Sequence, residues 1–292
     1  RYGVFVGHDD ATRGGVATVR GITARNLLAG AGQGAAAVAI IGAYDAYDIA
    51  DNHGINVNRA PNGLSSGGEC KAVSVSNAEV PVRMVRCSGT DIYAQDDRDA
   101  DALSIFGLLD GDGRPKCPEA IFEDCWSVNA QGRSIKAQAA RCTIRGVRST
   151  QNGSIGSGCA FSSQYGPMDL SDTVSTVTGA VGASYSVIDL NDSYPLLGRQ
   201  VSRIERLTIN SSVLLPRMVA MIRGAASPEH EVQMSNIRGV RTDDPAAPLF
   251  GRCGLEFNAL HIAAASTKLT ISVRDTRLPM SLPLIGYTSH HT

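Results

Sequence analysis

The sequence predicts an all-β repeat protein, and three observations carry the prediction. An aliphatic residue, Arg-Gly and a small or aliphatic residue recur as Val19-Arg20-Gly21-Ile22, Ile144-Arg145-Gly146-Val147, Ile222-Arg223-Gly224-Ala225 and Ile237-Arg238-Gly239-Val240. Each copy reads as a short strand with apolar side chains inward and Arg outward, and recurrence of one strand type points to stacked repeats. Amphipathic helix is almost missing, since no stretch sustains apolar residues at i, i+3, i+4 and i+7 for three turns. Turn chemistry separates the strands instead, as in Pro61-Asn62-Gly63, Asp110-Gly111-Asp112-Gly113, Asn152-Gly153 and Asp243-Asp244-Pro245.

Taken in order, strand-like sequence begins with Tyr2 to Val6. Val19 and Ile22 are followed by Asn26, Phe122 and Cys125 by Asn129, and Ile204 and Leu207 by Asn210, while Met234 and Ile237 lead into Thr242-Asp243. In each case two apolar residues three apart precede a polar turn residue. The apolar stretch Ala29 to Ala50 is broken by Gly, Gln33, Asp45 and Asp48, so it reads as turn and strand and not as a membrane-spanning helix. Lys71 to Cys87 and Leu269 to Val273 alternate as strands do. The separations between the Arg-Gly copies suit coils of roughly 20 to 30 residues. The step from Ile222 to Ile237 is too short for a coil and is expected to join two faces of one. The repeat region is placed at residues 1–275, with 276–292 as a tail or cap.

Composition narrows the classes of function. The 292 residues suffice for a large core, and with 5% aromatic residues and one Trp that core must be built from Val, Ile, Leu, Ala and Cys. A formal net charge of -1 opposes a broad grip on nucleic acid, and no polybasic run marks a membrane surface. The seven cysteines are scattered without metal-ligand spacing, so they read as small buried hydrophobes, with Cys117 and Cys125 left open as a pair. No metal or cofactor is expected.

These features resemble the right-handed, single-stranded parallel β-helix of pectate lyases and phage tailspikes, in which inward aliphatics stack in rows and Asn often fills a turn, as Asn26, Asn129 and Asn210 would. The resemblance implies a spike or fibre protein of a phage or phage-like particle, binding bacterial surface polysaccharide at the virion surface or outside the cell. It also implies a homotrimer, and a first coil capped by another virion protein or by further sequence. The alternative is a polysaccharide lyase or glycoside hydrolase of the same fold. Polygalacturonase elements are missing apart from Asp-Asp pairs, the nearest approach being Arg133-Ser134-Ile135-Lys136, and the Trp-Ile-Asp-His element of pectate lyases is missing too.

Hydrolysis of a glycosidic bond needs two facing carboxylates. The densest acidic segment holds Asp91, Asp96, Asp97, Asp99 and Asp101, and Glu123 and Glu205 take similar places in their strands, so Asp97, Asp101, Glu123 and Glu205 are the catalytic candidates. Sugar faces stack on aromatics and acidic sugars pair with Arg, which selects Tyr93, Trp126, Tyr194, Arg145 and Arg238 for binding. Arg20, Arg145 and Arg238 are expected to line one face as an anion-binding ladder. His53, in Asp51-Asn52-His53-Gly54, is a weaker candidate base.

Overall fold

A computed structural model describes residues 2–7, 14–30, 33–60, 63–64, 68–94, 99–153, 158–192, 198–223, 229–258, 268–280 and 285–288. Among these residues the regular structure is entirely strand. The chain winds as a parallel solenoid in which each coil lays down three short strands. One coil runs through Cys70–Ala78, Val82–Val85 and Ser88–Ile92, the next through Ala100–Gly107, Ala120–Glu123 and Trp126–Ala130. Each strand pairs in parallel with its counterpart one coil on. The first strands of successive coils form a ten-stranded sheet, here called face I. The second and third strands form faces II and III of a fifteen-stranded sheet, which bends at a corner between them. In Met168–Val177 and Arg199–Ser211 both faces are made by one continuous strand. Measured along face I, Ile135 to Phe161 is the shortest turn of the solenoid and Val219 to Leu255 the longest. Past residue 275 the pairing continues, with Ile285–Thr288 adding a strand to face I beside Phe250–Asn258.

The core is a set of rows in which like meets like. On face I, Val38, Val73, Leu103, Ile135, Phe161, Ile188, Val219 and Leu255 are register partners coil by coil, and all are 0% exposed. On face II the row Val19, Ile49, Met84, Phe122, Ile144, Leu170, Ile204 and Met234 is buried throughout. Each such side chain contributes about 1.5–3 kcal/mol by leaving water. Face III packs so close to face I that one of its inward rows is small from Ala24 through Gly54, Gly89, Ser127 and Ser149 to Ser175. A Cβ on Gly89 would lie 2.6 Å from the Ala102 Cβ, and one on Gly54 2.6 Å from that of Ala72.

The apolar residues three apart flank the corner between faces II and III. That corner is a single residue in the left-handed region, occupied in successive coils by Gly21, Asp51, Arg86, Asp124, Gly146, Asp172, Arg206, Asn236 and Asp275. The Gly of the first two Arg-Gly copies is therefore a corner residue, for which a side chain carries a conformational cost. At two steps adjacent non-Gly corners form ion pairs: Arg86 Nε donates to Asp51 at 2.7 Å and Arg206 Nε to Asp172 at 2.6 Å. Beside the corner, buried Asn52 donates from Nδ2 to the Val19 carbonyl (2.8 Å) and accepts from the Ile22 amide (3.1 Å), so a polar side chain is satisfied inside the stack.

Several local expectations need correction. Asn26 and Asn129 do take left-handed positions, at the penultimate residue of their face III strands, joined there by Asn56 and Asp91. Asn210 does not: it shares the row of Val128, Thr150 and Thr176, one residue before the place of Asn129. Ile237-Arg238-Gly239 has shifted relative to the first two copies, because Ile144 and Met234 share a row and Arg238 begins face III, while Ile222-Arg223 ends a face I strand. Cys117 and Cys125 are not joined. Cys70, Cys87, Cys117, Cys125, Cys142 and Cys159 are all free and buried, and burial pushes the Cys87 and Cys117 thiols up to about 11.

Candidate functional site

The outward side of face I carries the densest chemistry. Its strands share a six-residue pattern of variable, small, aliphatic, small or polar, aliphatic or Ala, and variable residues: Ala36-Ala-Val-Ala-Ile-Ile, Lys71-Ala-Val-Ser-Val-Ser, Asp101-Ala-Leu-Ser-Ile-Phe and Arg133-Ser-Ile-Lys-Ala-Gln. The first and fourth positions face outward, so register brings Lys71, Asp101 and Arg133 together in one row, with Ser74, Ser104 and Lys136 in the next. Lys71 Nζ bonds Asp101 directly and lies 3.8 Å from Asp99. Arg133 NH1 reaches Asp99 at 2.7 Å and Asp101 at 3.4 Å, and Lys136 Nζ bonds Asp99. The Asp101 side chain is 0% exposed and that of Lys71 6%. Burial pushes the Asp99 carboxyl upward, but Lys71, Lys136 and Arg133 outweigh it and hold that group well below the usual carboxylate range. Phe106 lies beside the cluster, with the Lys71 and Lys136 ammonium groups 5.4 and 5.1 Å from its ring centroid.

Next to this cluster opens a cleft of about 360 Å³. Small residues of neighbouring coils, Ala36, Ala39 and Ser74, form its floor, and Tyr2, Ile41 and Phe106 give it apolar walls. Ser76, Glu69 and Lys71 supply polar groups, Lys71 Nζ lying 4.0 Å from Glu69. Tyr2 is half exposed and packs on Phe5, ring centroids 5.0 Å apart. A shallow apolar floor between aromatic walls with a few hydroxyl and charged groups suits a ring that is apolar on its faces and polar at its rim.

The residues selected from sequence fall on three different faces. Asp101 is in the face I cluster, wholly enclosed by cations. Glu123 and Glu205 do share a face II row, through Arg145 and Ser171. Three strand steps of about 4.8 Å separate them by about 14 Å, wider than the roughly 5–9.5 Å of paired glycosidase carboxylates. Each also has a cation: Arg83 and Arg145 on Glu123, the latter at 3.7 Å, and Arg206 on Glu205 at 3.0 Å. Tyr93 is half-buried, its hydroxyl donating to Asp91 at 3.3 Å. Trp126 stands 39% exposed on face III, its ring 5.1 Å from that of His53, whose Nδ1 is 2.8 Å from Ser88 Oγ. The expected Arg ladder is divided, with Arg20 and Arg145 in one row of face II and Arg238 on face III. Asp97 and Tyr194 lie outside the described residues.

The sequence reading did not single out Lys71, Arg133, Lys136 and Phe106. Their signal is the face I hexad, which is more regular than the Arg-Gly strand but is interrupted by loops of unequal length.

Further along the same face, Asp189 accepts from Ser162 Oγ at 3.3 Å, and its Oδ1 is shut off from solvent without a hydrogen-bond partner. Burial raises this carboxyl above its ordinary value. A raised folded value means the folded state holds the proton more tightly, so stability is full below the unfolded value near ~3.9 and falls as pH rises through the folded one. Asp189→Asn removes that loss. Its melting temperature should exceed the parent's by more at pH 7 than at pH 4, and a difference independent of pH would contradict the assignment.

The chain matches no protein-family model, no curated protein and no solved structure, so its own geometry carries the functional argument.

Proposed function

We propose that this chain is a polysaccharide-binding spike or fibre protein whose primary contact is the face I cleft, used to hold bacterial surface glycan at the surface of a virion or outside the cell. The cleft is the observation that carries the reading. It is a shallow site with an Ala/Ser floor, aromatic walls and hydroxyl, carboxylate and ammonium groups at its edge, laid on a rigid stack. Binding is favoured over hydrolysis because Asp101 is neutralised by Lys71 and Arg133, and Glu123 and Glu205 are too far apart to act on one bond. The three-faced coil with its one-residue left-handed corner supports the narrower likeness to right-handed pectate-lyase and tailspike β-helices. From that likeness come a homotrimer and a capping partner at the first coil.

A lyase reading rests on one observation: Glu69 and Lys71 both line the cleft, offering a base and a cation at a single point.

Affinity electrophoresis through gels containing capsular polysaccharides tests both. The protein should be retarded by a matching capsule, and Phe106→Ala and Tyr2→Ala should weaken retention roughly tenfold or more, as loss of an aromatic anchor does. No new reducing ends and no unsaturated uronate should form. Equal retention of the cleft variants would remove the cleft from the account, and fragmentation abolished by Glu69→Gln would replace binding with the lyase.

A further inference from the structure

Face III differs from face II in one respect that concerns ligands. On face II the outward arginines are taken up by carboxylates, Arg20 by Asp48, Arg145 by Glu123 and Arg203 by Asp169. The outward face III positions hold no Asp or Glu from Thr23 through Arg25 to Arg238 and Val240. Among the described residues Arg148 and Arg238 form no ion pair, and both are exposed. The face III strands carry one carboxylate, Asp91, at a left-handed position within Ser88–Ile92, and Asp124 sits at the corner before Trp126.

Trp126 and Arg148 are register partners in adjacent coils, and the same row continues through Val174 and Thr208 to Arg238. Strand steps of about 4.8 Å put Arg148 beside Trp126 and Arg238 about 14 Å beyond Arg148. His53, held by Ser88, supports the indole on one side. The result is a flat strip with a fixed, half-exposed aromatic plane and uncompensated guanidinium groups spaced along one line.

We infer that this strip is a second glycan-contact surface, selective for acidic polysaccharide, with Trp126 stacking on a sugar face and Arg148 and Arg238 pairing with sugar carboxylates or sulfates. The inference rests on the polysaccharide reading but uses a different face from the cleft. Occupied together, the two would hold one long chain, or two, more tightly than either alone. A nucleic acid is the other polyanion of suitable size; the formal net charge of -1 disfavours it.

The test is affinity electrophoresis of the full chain through polygalacturonate, through its neutral methyl ester and beside an oligothymidylate. Polygalacturonate should retard the parent and the ester should not. Trp126→Ala and Arg148→Gln/Arg238→Gln should each weaken retention roughly tenfold, and should still do so in a chain whose cleft already carries Phe106→Ala. These are exposed positions, and an unaltered melting temperature confirms that the variants are folded. No retardation by polygalacturonate, or retention unaffected by Trp126→Ala and the Arg pair, overturns the inference even if Phe106→Ala shows the cleft to bind glycan. Retention of oligothymidylate as strong as that of polygalacturonate, and insensitive to Trp126→Ala, also overturns it, leaving a non-selective basic strip.

Discussion

Replacing Asp101 with alanine is expected to destabilise the solenoid by about 3–5 kcal/mol, because it leaves Lys71 buried without its closest counter-charge. The same cost would not follow from removing the pair. Lys71→Met/Asp101→Leu should recover most of the loss, since Arg133 and Lys136 still have Asp99 and two apolar side chains of similar volume replace an ion pair that was costly to desolvate. Urea unfolding followed by circular dichroism measures both variants. A loss under about 1 kcal/mol for Asp101→Ala would show that water reaches the cluster. The experiment also bears on chemistry: a carboxylate that holds the fold shows its effect in stability with no substrate present, whereas a catalytic group would show it in turnover alone.

Phe122→Ala should cost a comparable amount, about 3–5 kcal/mol, for a different reason. Phe122 fills its layer of the face II row between Met84 and Ile144 and is wholly buried. Its removal opens a cavity that neighbours fixed by their own coils fill only in part. Stacked repeats couple mainly to nearest neighbours, so the damage should be local. Amide hydrogen exchange should accelerate in Val82–Val85 and Cys142–Arg145 and change little in Lys268–Arg274. Uniform acceleration along the chain would instead describe a single cooperative core and contradict row-by-row stacking.

The fold was largely legible in the sequence, since a solenoid repeats its demands. Val19 with Ile22, Phe122 with Cys125 and Ile204 with Leu207 show the corner as two inward residues separated by the corner itself, and Gly21 and Gly146 show the left-handed conformation needed there. Register was not legible. Ile144-Arg145-Gly146 and Ile237-Arg238-Gly239 are identical locally, yet one ends a face II strand and the other begins a face III strand. Only the neighbouring coils distinguish them, and a shift of a few residues moves an Arg from an ion pair with Glu123 to an open strip beside the Trp126 row. Asn210 misses the place of Asn129 by one residue for the same reason.

The site was legible in part. Its acidic half stood out, because Asp99 and Asp101 belong to one dense segment. Its basic half did not, because Lys71, Arg133 and Lys136 come from coils before and after it and converge only through strand pairing. Glu123 and Glu205 were expected to take similar places in their strands and do share a row, but a row fixes direction and not distance, and three strand steps separate them.

The central claim is that glycan is held on the small-residue floor of face I between Tyr2 and Phe106. A crystal structure of the protein soaked with oligosaccharides released from a capsular polysaccharide that retards it tests this most directly. The account predicts sugar density over Ala36, Ala39 and Ser74, with ring faces against Tyr2 or Phe106 and hydroxyls within hydrogen-bond reach of Ser76 or Glu69. Sugar bound elsewhere with that floor left bare would contradict it.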